Sequence, residues 1–106
     1  MVKIAYYVPG SHLQVTKQAL FDAGAGQFEH YDQACWQVLG QGQYRPLEGA
    51  DPFEGKVGHL EVAEEYKVEM ICKSEHVEAA VAALKSVHPY EEVAFEVYEV
   101  LNKKFE

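Results

Sequence analysis

The densest run of chemically capable side chains is His88-Pro89-Tyr90-Glu91-Glu92, which puts an imidazole, a phenol and two carboxylates into one short segment. Such a set suits a divalent cation, with His88 and Glu91 as candidate ligands, or a small polar ligand bound through His88, Tyr90, Glu91 and Glu92. The same residues equally suit a structural turn, in which Pro89 ends a helix, His88 meets the helix's last carbonyls and Tyr90 packs across the bend. Arg45 and Glu48 form a second candidate pair. They stand in a segment dense in Pro and Gly, 44–58, that reads as a long loop, and long loops in compact domains tend to carry function. Gly49, Gly55 and Gly58 would let its backbone approach a ligand closely or adopt positive φ.

Other chemistries lack their residue patterns. His12, His30, His59 and His76 are scattered, with no His-x-x-x-His or Cys-x-x-Cys spacing to build a local zinc or copper site. Cys35 and Cys72 fall inside strand-like runs, where reduced cysteine behaves as a small hydrophobe. Neither a phosphate-binding loop ending in Lys-Ser/Thr nor a GxGxxG fingerprint is present. Ser11 and Cys35 have no base or orienting acid placed beside them by the sequence, so no catalytic residue is assigned and a non-enzyme is expected.

The 106 residues amount to one domain, 1–106, large enough to bury a core without disulfides or structural metal. Seventeen acidic against nine basic residues give a net charge of −8, which repels a phosphate backbone and argues against nucleic-acid partners. No apolar run approaches the roughly 18 residues of a membrane span, and the opening MVKIAYYVPG has no basic region followed by a long apolar run. A cytoplasmic location follows as the expectation.

The elements that must position these residues repeat. Val2, Ile4, Tyr6 and Val8 alternate as a strand until Pro9-Gly10 breaks it. Ser11 to Gln14 has capping-box spacing, and Leu13, Thr16, Ala19, Leu20 and Ala23 recur at helical intervals up to Gly24 and Gly26. A second strand over about 34–44 carries Gly40 and Gly42, which predict a bulged or bent end. A third runs over about 58–73, with a break near 63–65 and Tyr66, Val68, Met70 and Cys72 facing inward. Ser74 is the expected N-cap of a second helix striped by Val77, Ala80, Val81, Leu84 and Val87, and Val93, Phe95 and Val97 mark the last strand.

A shift of 64 positions sets Ile4 on Val68, Val8 on Cys72, His12 on His76 and Leu20 on Leu84. The chain is therefore β-α-β twice, which predicts an α+β, ferredoxin-like fold: a four-stranded antiparallel sheet with two helices on one face. The opposite face would carry Ala5, Tyr7, Ile71, Tyr98 and Val100 among Lys3, Glu69 and Glu96. That is apolar enough to predict a homo-oligomer closing over it.

Two stretches, Arg45 to Gly58 and His88 to Ala94, together resemble the PII/CutA-like module of the Nif-three-like (NGG-interacting factor three) family, which also occurs as a short stand-alone protein described as YqfO-like. Gly24-Ala-Gly26 and Tyr31-Asp32-Gln33 fit the module too, although this chain has Glu29-His30 where the family often has Gly-Asn, and Ala34 where it often has Cys. The resemblance implies a trimer with sites at intersubunit clefts, a mobile effector loop at 44–58 as in PII proteins, and a link to divalent cations as in CutA. Larger Nif-three-like proteins hold a dinuclear metal centre in flanking domains, so the resemblance implies that this chain lacks their hydrolase chemistry. The expected function is a non-catalytic regulatory or sensing protein binding a small ligand or divalent cation. The alternatives are an interaction module docking a partner through 44–58, and a metal-assisted hydrolase.

Overall fold

The computed structural model describes residues 1–105. Strands β1 (Val2–Val8), β2 (Trp36–Tyr44), β3 (Glu61–Cys72) and β4 (Phe95–Glu99) and helices α1 (Leu13–Asp22) and α2 (Val77–Val87) follow in the order β1-α1-β2-β3-α2-β4. The sheet order is β2-β3-β1-β4 with every neighbouring pair antiparallel, the ferredoxin-like arrangement the repeat predicts.

Alternation decides which face is dry. Ile4, Tyr6 and Val8 of β1 and Val68, Met70 and Cys72 of β3 are buried together with Leu13 and Leu20 of α1 and Ala80 and Leu84 of α2. Burying each large aliphatic side chain contributes roughly 1.5–3 kcal/mol, so this one layer dominates the stability. Its polar intruder is satisfied: the Tyr6 hydroxyl donates to Thr16 Oγ1 at 3.0 Å, and Thr16 in turn donates to the His12 carbonyl at 2.8 Å. Burial pushes the Tyr6 phenol up to about 12.

Three local expectations are corrected. Both helices begin with a 3-10 turn, Gly10–His12 and Ser74–His76, so His12 and His76 occupy the N-cap positions and neither Ser11 nor Ser74 makes a capping bond. Strand β3 runs unbroken through 63–65, because β2 pairs with it from Trp36↔Glu69 to Tyr44↔Glu61. That same continuous register leaves no bulge at Gly40 or Gly42.

The open face is mixed rather than uniformly apolar. Glu69 bonds both Lys67 (3.0 Å) and Lys3 (3.1 Å), and the Tyr7 hydroxyl donates to Glu96 at 2.9 Å. These lysines hold the Glu69 carboxyl below the ordinary range. Around this polar centre Trp36 is 60% and Tyr98 50% exposed, and Val38 lies on the same side as Trp36.

Candidate functional site

Helix α2 ends at His88, whose extended backbone (φ −74°, ψ 138°) and following Pro89 prevent another turn. Its ring folds inward, and the residue is 7% exposed. Nε2 donates to the Tyr7 carbonyl at 2.7 Å, while Nδ1 accepts the Tyr90 amide at 3.1 Å, an arrangement that assigns a neutral imidazole protonated on Nε2. Burial holds its pKa below the usual histidine value against the opposing pull of the Tyr7 carbonyl. The β1–β4 ladder stops at Tyr6↔Phe95, so the imidazole takes over the carbonyl one residue beyond it. Both nitrogens are spent on the backbone, and His88 acts as the pivot of the turn.

Tyr90 is pinned against this pivot, with ring centroids 4.7 Å apart, and projects away from it. Its hydroxyl donates to Glu65 Oε2 at 3.1 Å. Burial, followed by the Glu65 charge, raises the Tyr90 pKa well above the ordinary phenol value. Glu65 gains its position from a glycine: a Cβ on Gly42 would overlap Glu65 Oε1. The strand glycine thus marks a close approach by a side chain.

The long loop closes over this assembly. Gly58 N–H donates to the Pro46 carbonyl at 2.7 Å, and the Tyr44 hydroxyl donates to the Glu54 carbonyl at 2.9 Å. The Asp51 amide donates to Glu91 Oε1 at 2.9 Å, tying the loop directly to the turn. Phe53 sits 6.1 Å from the Tyr90 ring and 5.8 Å from His12. Between loop, turn and sheet lies a cleft of about 300 Å³, lined by Tyr7, Gln43, Tyr44, Pro46, Ala50, Pro52, Phe53, Glu65, Tyr90, Glu91, Glu92 and Ala94.

Of the residues singled out from sequence, Tyr90, Glu91 and Glu92 line this cleft. His88 stands behind it as a support. Arg45 and Glu48 are exposed and outside the lining, because Pro46 is the buried anchor at this point and its neighbours turn outward. Tyr7, Tyr44, Phe53 and Glu65 are not among the sequence-predicted site residues, since no local pattern ties them to the turn. A transition metal needs three or more converging ligands. Among the described residues no such group of His, Cys, Asp or Glu forms within the one chain, and both His88 nitrogens are engaged by backbone groups.

After α1 the repeat-equivalent turn is more open and polar, with a depression lined by residues 27–32 and Lys73. Among the described residues no helix is long and apolar enough to cross a membrane.

Comparison with known proteins gives consistent findings. The chain is 39% identical over 98 residues to the GTP cyclohydrolase 1 type 2 homolog of Bacillus subtilis (strain 168), covering 92% of this chain and 26% of that protein. It superposes on a Bacillus cereus protein related to NIF3 with TM-score 0.82 and 34% identity, over 93% of this chain and 25% of the other. The PII-like protein CutA from Nostoc sp. PCC 7120 matches in fold, with TM-score 0.70 at 16% identity, over 98% of this chain and 85% of that one. The chain therefore spans about a quarter of the length of the curated relatives it matches. No family model matches it.

Proposed function

The chain is a PII/CutA-like module of the Nif-three-like family, and from that premise we propose that it is a non-catalytic, oligomeric regulatory or sensing domain that binds a small ligand in the cleft between the 44–58 loop and the turn after α2. The observation that carries this reading is the cleft itself: four aromatic rings and three carboxylates from separate segments converge on about 300 Å³. The loop that covers it is tied to it through Glu91, so an occupant meeting that carboxylate competes with the Asp51 amide and alters how the loop is presented. The non-catalytic reading rests on the lining, which holds no Ser, Cys, His or Lys to serve as an activated nucleophile or its base.

Oligomerisation is the second part of the proposal, with a trimer favoured. Trp36, Val38 and Tyr98 are exposed around the open sheet face, and a partner subunit would bury them. Light scattering behind size exclusion tests this part: a mass of three chains supports it, and a monomer at micromolar concentration contradicts it. For the cleft, a broad small-molecule panel should include a binder whose affinity is lost with Tyr90→Ala in a folded variant. A panel that finds none, or binders indifferent to that substitution, removes the cleft reading.

One observation favours a second reading, an interaction module. Leu47, Phe53, Val57 and Leu60 leave apolar surface exposed on and beside the loop, which would suit docking on a protein partner. Protection of residues 44–58 from proteolysis by a protein but by no small molecule would favour it. The relatives' name keeps a hydrolase as the third reading, and turnover of GTP by the chain is its test.

A further inference from the structure

Resting on the cleft reading above, we propose that the ligand class is a small organic cation, an alkyl- or arylammonium, held in a box of aromatic rings with carboxylates at its edge. Tyr90 is the shared wall: its ring centroid lies 6.4 Å from Tyr44 and 6.1 Å from Phe53, with interplanar angles of 53° and 45°. Three mutually tilted rings line one cleft, and an ammonium group seated over any of their faces would be held through cation–π contact. The remaining walls, Pro46, Pro52 and Ala50, would take an apolar body attached to that cation.

Charge selects in the same direction. Glu65, Glu91 and Glu92 line the cleft and no Lys or Arg does, so its acids meet no basic side chain from the lining. Glu54 and Glu61 add to the negative field, since with Glu65 they raise the Tyr44 pKa beyond what burial alone does. A nucleotide would place its phosphates against these acids with no counter-charge from the walls. A bare divalent cation would need several carboxylate oxygens converging, whereas Glu65 is engaged by Tyr90 and Glu91 by the Asp51 amide. A bulky cation of dispersed charge needs only ring faces and nearby acids, and the cleft offers both.

The test is calorimetric titration of the full chain at about 150 mM salt, where exposed charges are screened beyond about 8 Å. The probes are phenethylammonium, its neutral counterpart 2-phenylethanol, tetramethylammonium, magnesium ATP and zinc chloride. Saturable binding of phenethylammonium is expected, with 2-phenylethanol weaker by about tenfold or more because it lacks the charge. Glu65→Gln and Phe53→Leu should each weaken the ammonium by several-fold or more. Phe53 is half exposed, so its variant keeps the core intact if Tyr90→Ala does not fold. Equal affinity for the alcohol and the ammonium overturns the cation assignment. Binding of ATP or zinc that is lost in the cleft variants, with no ammonium binding, also overturns it while leaving the cleft reading in place. If none of the five probes binds, the organic-cation proposal fails; the cleft reading then stands or falls on the broad panel.

Discussion

The two turns that follow α1 and α2 solve the same problem by different means. Each must satisfy a carbonyl of the neighbouring central strand just past the end of a ladder, Ile71 in one case and Tyr7 in the other, and these positions are equivalents under the 64-residue repeat. After α1 the backbone does it: Gly26 N–H donates to Ile71 at 2.8 Å. After α2 a side chain does it: His88 Nε2 donates to Tyr7 at 2.7 Å. The first solution needs Gly24 and Gly26 at positive φ, 106° and 80°, and pulls the chain tight against the sheet. The second interposes an imidazole between backbone and sheet, which leaves room for Tyr90 to project and for the cleft to form. The two halves of a duplicated scaffold thus differ in the donor at this turn, and the cleft lies beside the histidine one.

Breaking the tight turn should cost most. In Gly26→Ala the new Cβ would lie 2.9 Å from the Phe21 ring and 3.0 Å from the Ala34 carbonyl, at a φ that alanine disfavours. Left-handed strain and crowding together should cost about 2–4 kcal/mol by denaturant unfolding. His88→Ala should cost somewhat less, about 1–3 kcal/mol, for the unpaired Tyr7 carbonyl and Tyr90 amide. Unlike the glycine variant, it should also abolish the cleft's ligand binding.

The histidine solution adds a pH dependence the glycine one lacks. Burial lowers the His88 pKa in the fold, with His12 pushing the same way and the Tyr7 carbonyl and Glu65 opposing. The unfolded chain therefore takes up this proton first, and the contribution is complete above the ordinary histidine pKa of about 6.5 and declines as pH falls below it. Unfolding measured from pH 7.5 to 5 should show this slope, and His88→Ala should remove that part of it. An unchanged slope in the variant would deny that the neutral imidazole holds the turn.

The smallest effect lies at the other turn. Glu29 follows Phe28 in a tight Phe28–Tyr31 bridge with φ 53°, a conformation that suits glycine. Glu29→Gly should stabilise the chain by about 0.5–1 kcal/mol without altering the cleft. Destabilisation would mean that the Glu29 side chain contributes more than its backbone strain costs.

Much of this frame was legible in the sequence because it follows from period and repetition. The alternation of Val2 to Val8, the stripe of α2 and the matching of Ile4 with Val68 were enough to give the four-stranded antiparallel plan and the helix-covered face. The turn at His88 was legible both as a cluster of chemistry and as a helix stop, and the structure divides those roles: His88 holds the turn, while Tyr90, Glu91 and Glu92 face the cleft. Its partners were not legible. Tyr7, Tyr44, Phe53 and Glu65 come from β1, β2, the loop and β3, and no local pattern ties them together. Gly40 and Gly42 look alike whether a strand bulges or a side chain needs room; the continuous β2–β3 register excludes a bulge at both, and the Glu65 carboxylate lies over Gly42 alone. Ser11 and Ser74 have the composition of caps, but a 3-10 turn ahead of each helix shifts the cap to a histidine.

The difference between the two turns is tested most directly by amide chemical-shift mapping of the full chain during titration with phenethylammonium. Saturable shifts are expected in residues 44–53, at Glu65 and in 88–94, with residues 24–34 silent. Shifts centred on 24–34, or none at all at millimolar ligand, would contradict it.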